Sequence, residues 1–188
     1  NHTWGKKDIF KFIDHPKLIR PANYPEGNVG EGFCILDTGR TQIAVLNVMG
    51  TSFLDPLDNP FSCVEKLLEK IDTKNIFVDF HAESTAEKQA MGYFLEGKVT
   101  AVAGTHTHVQ TADETIIDSH TAYITDAGMT GVEKSCLGVE IKPAVDRLRF
   151  RMPVKFREAT GKCFMCGVIV SFDEKSGKAD KIQRIILR

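Results

Sequence analysis

The fold is decided by residues 75–108, which read NIFVDFHAESTAEKQAMGYFLEGKVTAVAGTHTH. The run at 75–80 is short and almost continuously apolar, as expected for a strand that is buried on both faces. Ser84 and Glu87 have the spacing of a capping box, which predicts a helix that continues to about Leu95 and is ended by Gly97. A second apolar run at 99–103 completes a strand–helix–strand unit. This rhythm indicates an α/β layered core.

The flanking sequence favours the same fold class. Its patterns predict a short amphipathic helix at 6–14, a hairpin of 33–37 with 42–48, a helix at 61–71 and a third buried strand at 122–125. From residue 152 onward polar and apolar side chains alternate, which predicts antiparallel hairpins. No linker or shift in composition divides the chain, so we expect one domain over residues 1–188.

Composition excludes several classes of protein. The 188 residues include 24 basic and 25 acidic side chains, and this near-neutral balance gives no general attraction to nucleic acid or to an anionic membrane. The hydrophobic share of 42% excludes disorder, and no apolar run approaches the ~20 residues of a membrane span. We therefore expect no membrane partner and no strong binding of nucleic acid, while homo-oligomerisation stays open.

The cysteines indicate a reducing, cytoplasmic location. The chain has five cysteines, an odd number, and they are scattered. Cys163 and Cys166 resemble half of a redox or zinc motif, but no second pair accompanies them. A spacing of three on a predicted strand points the two sulfur atoms to opposite faces, so we favour a structural role for both.

Three predicted strands end in residues that can bind metals. These ends read Asp79-Phe-His81-Ala-Glu83, Gly104-Thr-His106-Thr-His108 and Thr125-Asp126. Ligands of open α/β sheets collect beyond the carboxyl ends of strands, where short loops can bring side chains together. Residues two apart on an extended segment face the same way, so His106 and His108 are expected to reach one metal ion or two adjacent ones. Neutral imidazole suits Zn, Mn, Fe and Ni.

Other polar residues have two interpretations each. His15 precedes a proline in a loop and His120 lies in a polar turn, so each is expected to be a satisfied or exposed histidine and not a ligand. The planar guanidinium of Arg20 suits a substrate phosphate, but it would equally satisfy loop carbonyls. Three carboxylates either orient the imidazoles or serve as turn and cap groups, namely Asp79, Glu83 and Asp126. Three polar side chains are weaker candidates to line the pocket, namely Thr105, Thr107 and Gln110.

Five dispersed blocks carry a resemblance to a known family. In order, they are Asn1-His-Thr-Trp4, Arg20-Pro-Ala-Asn-Tyr-Pro25, Asp79-Phe-His-Ala-Glu83, Gly104-Thr-His-Thr-His-Val-Gln-Thr-Ala-Asp113 and Tyr123-Ile-Thr-Asp-Ala-Gly-Met-Thr-Gly131. The pattern resembles the bacterial YmdB-type phosphodiesterases of the calcineurin-like metallophosphoesterase superfamily. It extends over essentially the whole chain.

The resemblance implies a layered α/β/β/α sandwich that uses two divalent metal ions (Fe, Mn, Mg or Zn). It implies hydrolysis of small phosphodiesters, 2′,3′-cyclic nucleotides above all, by attack of a metal-bound hydroxide on phosphorus. Carried over by motif, one metal ion would be bound by Asn1, His81 and His106, and the other by His108. His2 would be the proton donor or transition-state stabiliser, and the substrate would contact Arg20 and Thr107.

The chain also departs from the family pattern. The Gly-Asp and Gly-Glu-Asn motifs that precede Asn-His in the family are not found in it. The expectation is therefore a domain without the first strands and helices of the fold, with about half of a dinuclear site. The alternative is an inactive or truncated module that binds nucleotide or metal. A hydrolase of the capsule-synthesis type would turn over no cyclic nucleotide, and the Asn1-His-Thr-Trp4 block argues against it.

Overall fold

The computed structural model describes residues 2–188, so Asn1 lies outside the described part of the chain. A 3-10 helix at Lys7–Lys11 precedes the regular elements. These elements are β1 (Phe33–Asp37), β2 (Gln42–Met49), α1 (Pro60–Leu68), β3 (Ile76–His81), α2 (Thr85–Phe94), β4 (Ala101–Thr105), β5 (Thr115–Ile117), β6 (Thr121–Ile124), β7 (Thr130–Val132), α3 (Ile141–Phe150), β8 (Cys163–Phe172) and β9 (Ala179–Leu187).

The strands form two sheets. The first has the order β1-β2-β3-β4-β6-β5, with β2, β3, β4 and β6 parallel and an antiparallel strand at each edge. The second is the antiparallel sheet β7-β8-β9. In the first sheet His81 is in register with Thr105, so β3 and β4 end at the same edge.

Alternation along β3 explains how the layers stack, because successive side chains of a strand point to opposite faces. Val78 and Phe80 lie in the apolar core that α1 and α2 cover. Phe77 points the other way and meets the ring of Phe172 in the second sheet, edge to face, with centroids 5.5 Å apart. The order is thus helices, first sheet, second sheet, which confirms the predicted layered α/β fold.

The two helices on the first sheet begin where side chains cap them. The Asn59 side chain accepts from the first backbone N–H groups of α1, and the Ser84 hydroxyl accepts from the N–H of Glu87. The predicted capping box is only half formed, because the Glu87 carboxylate accepts from the N–H of Thr51 at 2.9 Å instead. After α2, Gly97 has a φ of +71°, the left-handed conformation that commonly ends a helix.

One helix prediction needs correction, and one helix was not predicted. The predicted amphipathic helix at 6–14 is only a 3-10 helix of five residues. Of the apolar face that was expected there, Ile9 is buried, but Phe10 is 70% and Phe12 is 58% exposed. A helix this short needs a covered apolar face, and one buried residue does not supply it. Conversely, α3 was not predicted from the sequence, and only its Ala144 is buried.

Other expectations can be compared directly. Cys163 is exposed and Cys166 half-buried on β8, in line with the opposite faces predicted for them, and all five cysteines are free thiols. The predicted C-terminal hairpin is confirmed as β8 with β9, although it begins later than residue 152. No helix within residues 2–188 has the length and apolarity needed to cross a bilayer. The single domain over 1–188 stays a prediction.

Candidate active site and metal site

A hydrogen-bonded relay orients His81 at the end of β3. Asp79 accepts from Asn47 Nδ2 and from the Thr105 hydroxyl, each at 2.7 Å. Since that hydroxyl donates to Asp79, its oxygen accepts from Nδ1–H of His81 at 3.0 Å. The proton on Nδ1 leaves the lone pair on Nε2 of His81, the arrangement that a metal-ligating imidazole needs.

His106 faces that lone pair from the next strand. Its Nδ1 lies 3.1 Å from Nε2 of His81, and the two rings meet edge to face with centroids 4.9 Å apart. On the far side of His106, Nε2 lies 3.0 Å from a carboxylate oxygen of Glu83. The sheet register accounts for the meeting, because His81 pairs with Thr105, the residue that precedes His106.

The surroundings favour a neutral His81. Burial, followed by the neighbouring charge of His106, lowers the pKa of His81 from 6.5 to about 4. A weaker contribution of the same sign comes from His2, so His2 lies within electrostatic range of His81. Burial raises the pKa of Asp79, against the lowering effect of its hydrogen bonds from Thr105 and Asn47. Neutral imidazole is the form that binds metals.

The expectation of an extended His-x-His segment is wrong. β4 ends at Thr105, and both following histidines have positive φ angles, +113° for His106 and +66° for His108. The two rings therefore diverge: His106 meets His81, whereas Nδ1 of the exposed His108 lies 3.3 Å from the carbonyl of Leu137. The assignment of His108 to a second metal ion stays a prediction.

The remaining site predictions have mixed support. His2 is exposed and lines a cavity of about 460 Å³ with Trp4 and Tyr24, while Asn1 lies outside the described residues. Thr107 directly follows His106 in the loop after β4. Arg20 donates to four loop carbonyls, those of Pro21, Ala22, Asn28 and Val29, which favours its structural interpretation. The substrate roles of Arg20 and Thr107 stay predictions.

The residues present fit a metal ion only in part. Two ligand nitrogens that are each about 2.0–2.1 Å from one ion lie roughly 3 Å apart, which matches the 3.1 Å between His81 and His106. However, residues 2–188 contain no group of three or more His, Cys, Asp or Glu side chains arranged to hold an ion. The described chain thus offers a two-imidazole site and not a complete dinuclear cage.

Larger cavities lie away from this pair. One of about 670 Å³ opens beside His120, at the amino ends of the parallel strands. One of about 760 Å³ lies between Arg20 and α1. Neither is lined by His81 or His106. We assign the site by its side-chain chemistry, because ligands of parallel sheets gather at the carboxyl ends of the strands.

Two residues that support the site were not predicted from the sequence. Asn47 is the one uncharged polar side chain inside the apolar run 43–49, and that isolation was the signal that could have found it. Lys88 forms a buried ion pair with Asp126 beneath the loop that carries His106. A lysine in the polar stretch Glu87-Lys-Gln89 of a helix gives no such signal.

Known proteins are similar to this chain over nearly all of its length. A family model described as YmdB-like protein matches residues 1–185. A Bacillus subtilis protein named 2′,3′-cyclic-nucleotide 2′-phosphodiesterase is 47% identical over 190 aligned positions, which cover 100% of this chain and 72% of the relative.

Two solved structures share the fold. A Thermus thermophilus protein described as hypothetical superposes with a TM-score of 0.93 at 38% identity, over 99% of this chain and 73% of the other. A Mycoplasma pneumoniae protein described as a novel phosphatase superposes with a TM-score of 0.92 at 33% identity, over 100% of this chain and 69% of the other. The family that the five motif blocks predict is confirmed: this chain belongs to the YmdB-like family.

Proposed function

We propose that this chain carries the catalytic site of a metal-dependent phosphodiesterase that opens 2′,3′-cyclic nucleotides. The class, a phosphoric diester hydrolase, is supported by the name of the Bacillus subtilis relative. The observation that carries the proposal is the convergence of His81 and His106 on one point at the carboxyl edge of the sheet. The substrate class rests on the printed name of that relative.

In this proposal His81 and His106 hold one divalent ion, with Asn1 as a further ligand and His108 serving a second ion. When bound, such ions neutralise phosphate oxygens and activate water for attack on phosphorus. The chain's own contribution is orientation. The relay from Asp79 through Thr105 keeps the Nε2 lone pair of His81 directed at the site.

His2 is the proposed proton donor. Opening a 2′,3′-cyclic diester breaks one P–O bond, and the departing ribose oxygen takes up a proton. An imidazole beside the metal pair can donate that proton, a role that is typically worth ~10²–10⁴-fold in rate. The exposure of His2 and its electrostatic reach to His81 support this placement.

The proposal is tested by supplying Mn²⁺ and 2′,3′-cyclic AMP and separating the products by chromatography. We expect release of a nucleoside monophosphate, the 3′-phosphate if the 2′ bond is the one cleaved. His2→Ala should lower kcat at least about 100-fold because the proton donor is lost. His15→Ala, which removes an exposed histidine outside the site, is the matched control and should leave kcat unchanged.

A different pattern would favour a binding module. The catalytic proposal is wrong if the wild-type protein binds Mn²⁺ and nucleotide but hydrolyses neither substrate. It would then release no nucleoside monophosphate from 2′,3′-cyclic AMP and no p-nitrophenol from bis(p-nitrophenyl) phosphate. Equal activities in the His2→Ala and His15→Ala variants would remove His2 from the mechanism while keeping the enzyme class.

A further inference from the structure

A wholly buried ion pair lies beneath the loop that carries the candidate histidines. Nζ of Lys88, on α2, is 2.8 Å from Oδ2 of Asp126, which follows β6. The two side chains are 1% and 0% exposed. Removing two charges from water carries a large desolvation cost, so such a pair is weak evidence for a stabilising role alone.

The Asp126 carboxylate also binds the histidine loop. Oδ2 accepts from the backbone N–H of Thr107 at 3.0 Å, and Oδ1 accepts from the N–H of Gly128 at 2.9 Å. The backbone of Asp126 is itself fixed, because its N–H donates to the Thr111 hydroxyl at 2.9 Å and its carbonyl accepts from the Thr111 N–H at 3.1 Å. The carboxylate is therefore a rigid anchor for the N–H of Thr107.

That N–H lies between two residues in an unfavourable conformation. His106 and His108, on either side of Thr107, have φ angles of +113° and +66°. Non-glycine residues keep such angles only where the surroundings over-determine them. The hydrogen bond from Thr107 to Asp126 is a contact of this kind, and it acts at the centre of the strained segment.

Lys88 packs against the start of the same segment. A Cβ atom on Gly104 would lie 3.2 Å from Cδ of Lys88 and would collide with the carbonyl of Thr125. Glycine at 104 thus leaves room for the lysine stem as it passes to Asp126. Without the ammonium group, the buried carboxylate would lose its ion-pair partner, and its hold on the Thr107 N–H would weaken.

We propose that Lys88 is a positioning residue that acts through Asp126 to hold the His106-Thr107-His108 turn in the conformation that metal binding and turnover require. The effect on turnover rests on the proposed phosphodiesterase function. The effect on metal affinity rests on the proposed metal site at His81 and His106, and the effect on the turn rests on neither proposal.

The test compares Lys88→Met, which keeps the length of the side chain without its charge, with the wild-type protein. We expect hydrogen exchange at the Thr107 amide to rise at least about tenfold. We expect the affinity for Mn²⁺, measured by calorimetry, to fall about tenfold, as for other groups that orient ligands. With 2′,3′-cyclic AMP as substrate, kcat should fall more than KM rises.

Met91→Ala is the matched control, because Met91 lies one turn away on α2 and is also fully buried, but in the apolar core. We expect it to lower Tm without affecting exchange at Thr107 or the affinity for Mn²⁺. Asp126→Asn serves as a second variant if Lys88→Met fails to fold. It keeps the volume but cannot accept from Lys88, Thr107 and Gly128 together, so it should raise exchange at Thr107 in the same way.

The outcomes separate this inference from the function. If Lys88→Met and Met91→Ala lower Tm alike, and both keep wild-type exchange at Thr107 and wild-type affinity for Mn²⁺, the ion pair is only structural and the inference is wrong. If the wild-type protein does not hydrolyse 2′,3′-cyclic AMP, the proposed function fails, and exchange at the Thr107 amide in Lys88→Met still decides the positioning role.

Discussion

Nε2 of His81 lies 3.1 Å from Nδ1 of His106, although 25 residues separate the two along the chain. Each ring comes from the carboxyl end of a strand, and β3 and β4 are parallel neighbours. Asp79, through the Thr105 hydroxyl, orients the His81 ring so that the lone pair of its Nε2 points toward His106. The sheet thus brings two candidate metal ligands together and fixes the orientation of one of them.

Thr105 should control metal affinity without touching the metal. Thr105→Val removes the hydroxyl that accepts a hydrogen bond from Nδ1–H of His81 and donates one to Asp79. We expect the affinity for Mn²⁺ to fall about 10–100-fold, the usual effect of losing a group that orients a ligand. Thr105→Ser keeps the hydroxyl and should retain most of the affinity. Equal affinities in the valine and serine variants, measured by calorimetry, would contradict the relay.

His81 should titrate at an unusually low pH in the metal-free protein. Burial and His106 lower its pKa from 6.5 to about 4, so between these values the unfolded chain takes up a proton that the folded chain does not. Stability therefore falls as the pH drops from about 6.5 to about 4, and this loss is complete below the folded pKa. NMR of the ring protons should give a midpoint near 4 for His81. A midpoint near 6.5 would show that the ring is not buried as described.

Much of this architecture follows from sequence patterns. The buried strands at 75–80 and 99–103 and the cap at Ser84 are local signals, and they predict β3, β4 and α2. The gathering of His81 and His106 follows from the rule that parallel strands end at one edge. The family model and the relatives confirm the family that the motif blocks indicate.

The features that were not predicted from the sequence depend on three-dimensional context. The turn at His106 and His108 needs positive φ angles that non-glycine residues rarely adopt, so the spacing alone suggested an extended segment. From the sequence alone, Lys88 resembles an ordinary solvent-facing lysine of a helix. Only the fold shows that it pairs with the buried Asp126. At 6–14 the apolar periodicity is real, but the surface that would cover Phe10 and Phe12 is not there among the described residues.

Gly104 should not tolerate a side chain. A Cβ atom there would collide with the backbone carbonyl of Thr125 and press on Lys88. We expect Gly104→Ala to lower the free energy of unfolding by at least about 2 kcal/mol, because a backbone obstacle cannot rotate away. Gly167→Ala in β8 is the control, since its nearest neighbour would be Ile185 at 3.7 Å. Similar denaturation midpoints for the two variants would contradict the packing described here.

The backbone at His108 should store strain. With a φ of +66°, this position favours glycine over any residue that has a Cβ atom. We therefore expect His108→Gly to be more stable than His108→Ala by about 1 kcal/mol, even though glycine is normally the more costly residue in a folded chain. Urea denaturation of the two variants measures the difference. A less stable glycine variant would mean that residue 108 does not adopt the left-handed conformation.

The most direct measurement is a crystal structure of the protein grown with Mn²⁺, with the ion located by its anomalous scattering. The account predicts a peak within about 2.0–2.3 Å of both Nε2 of His81 and Nδ1 of His106. Strong Mn²⁺ density elsewhere, with those two nitrogens still hydrogen-bonded to each other, would contradict it.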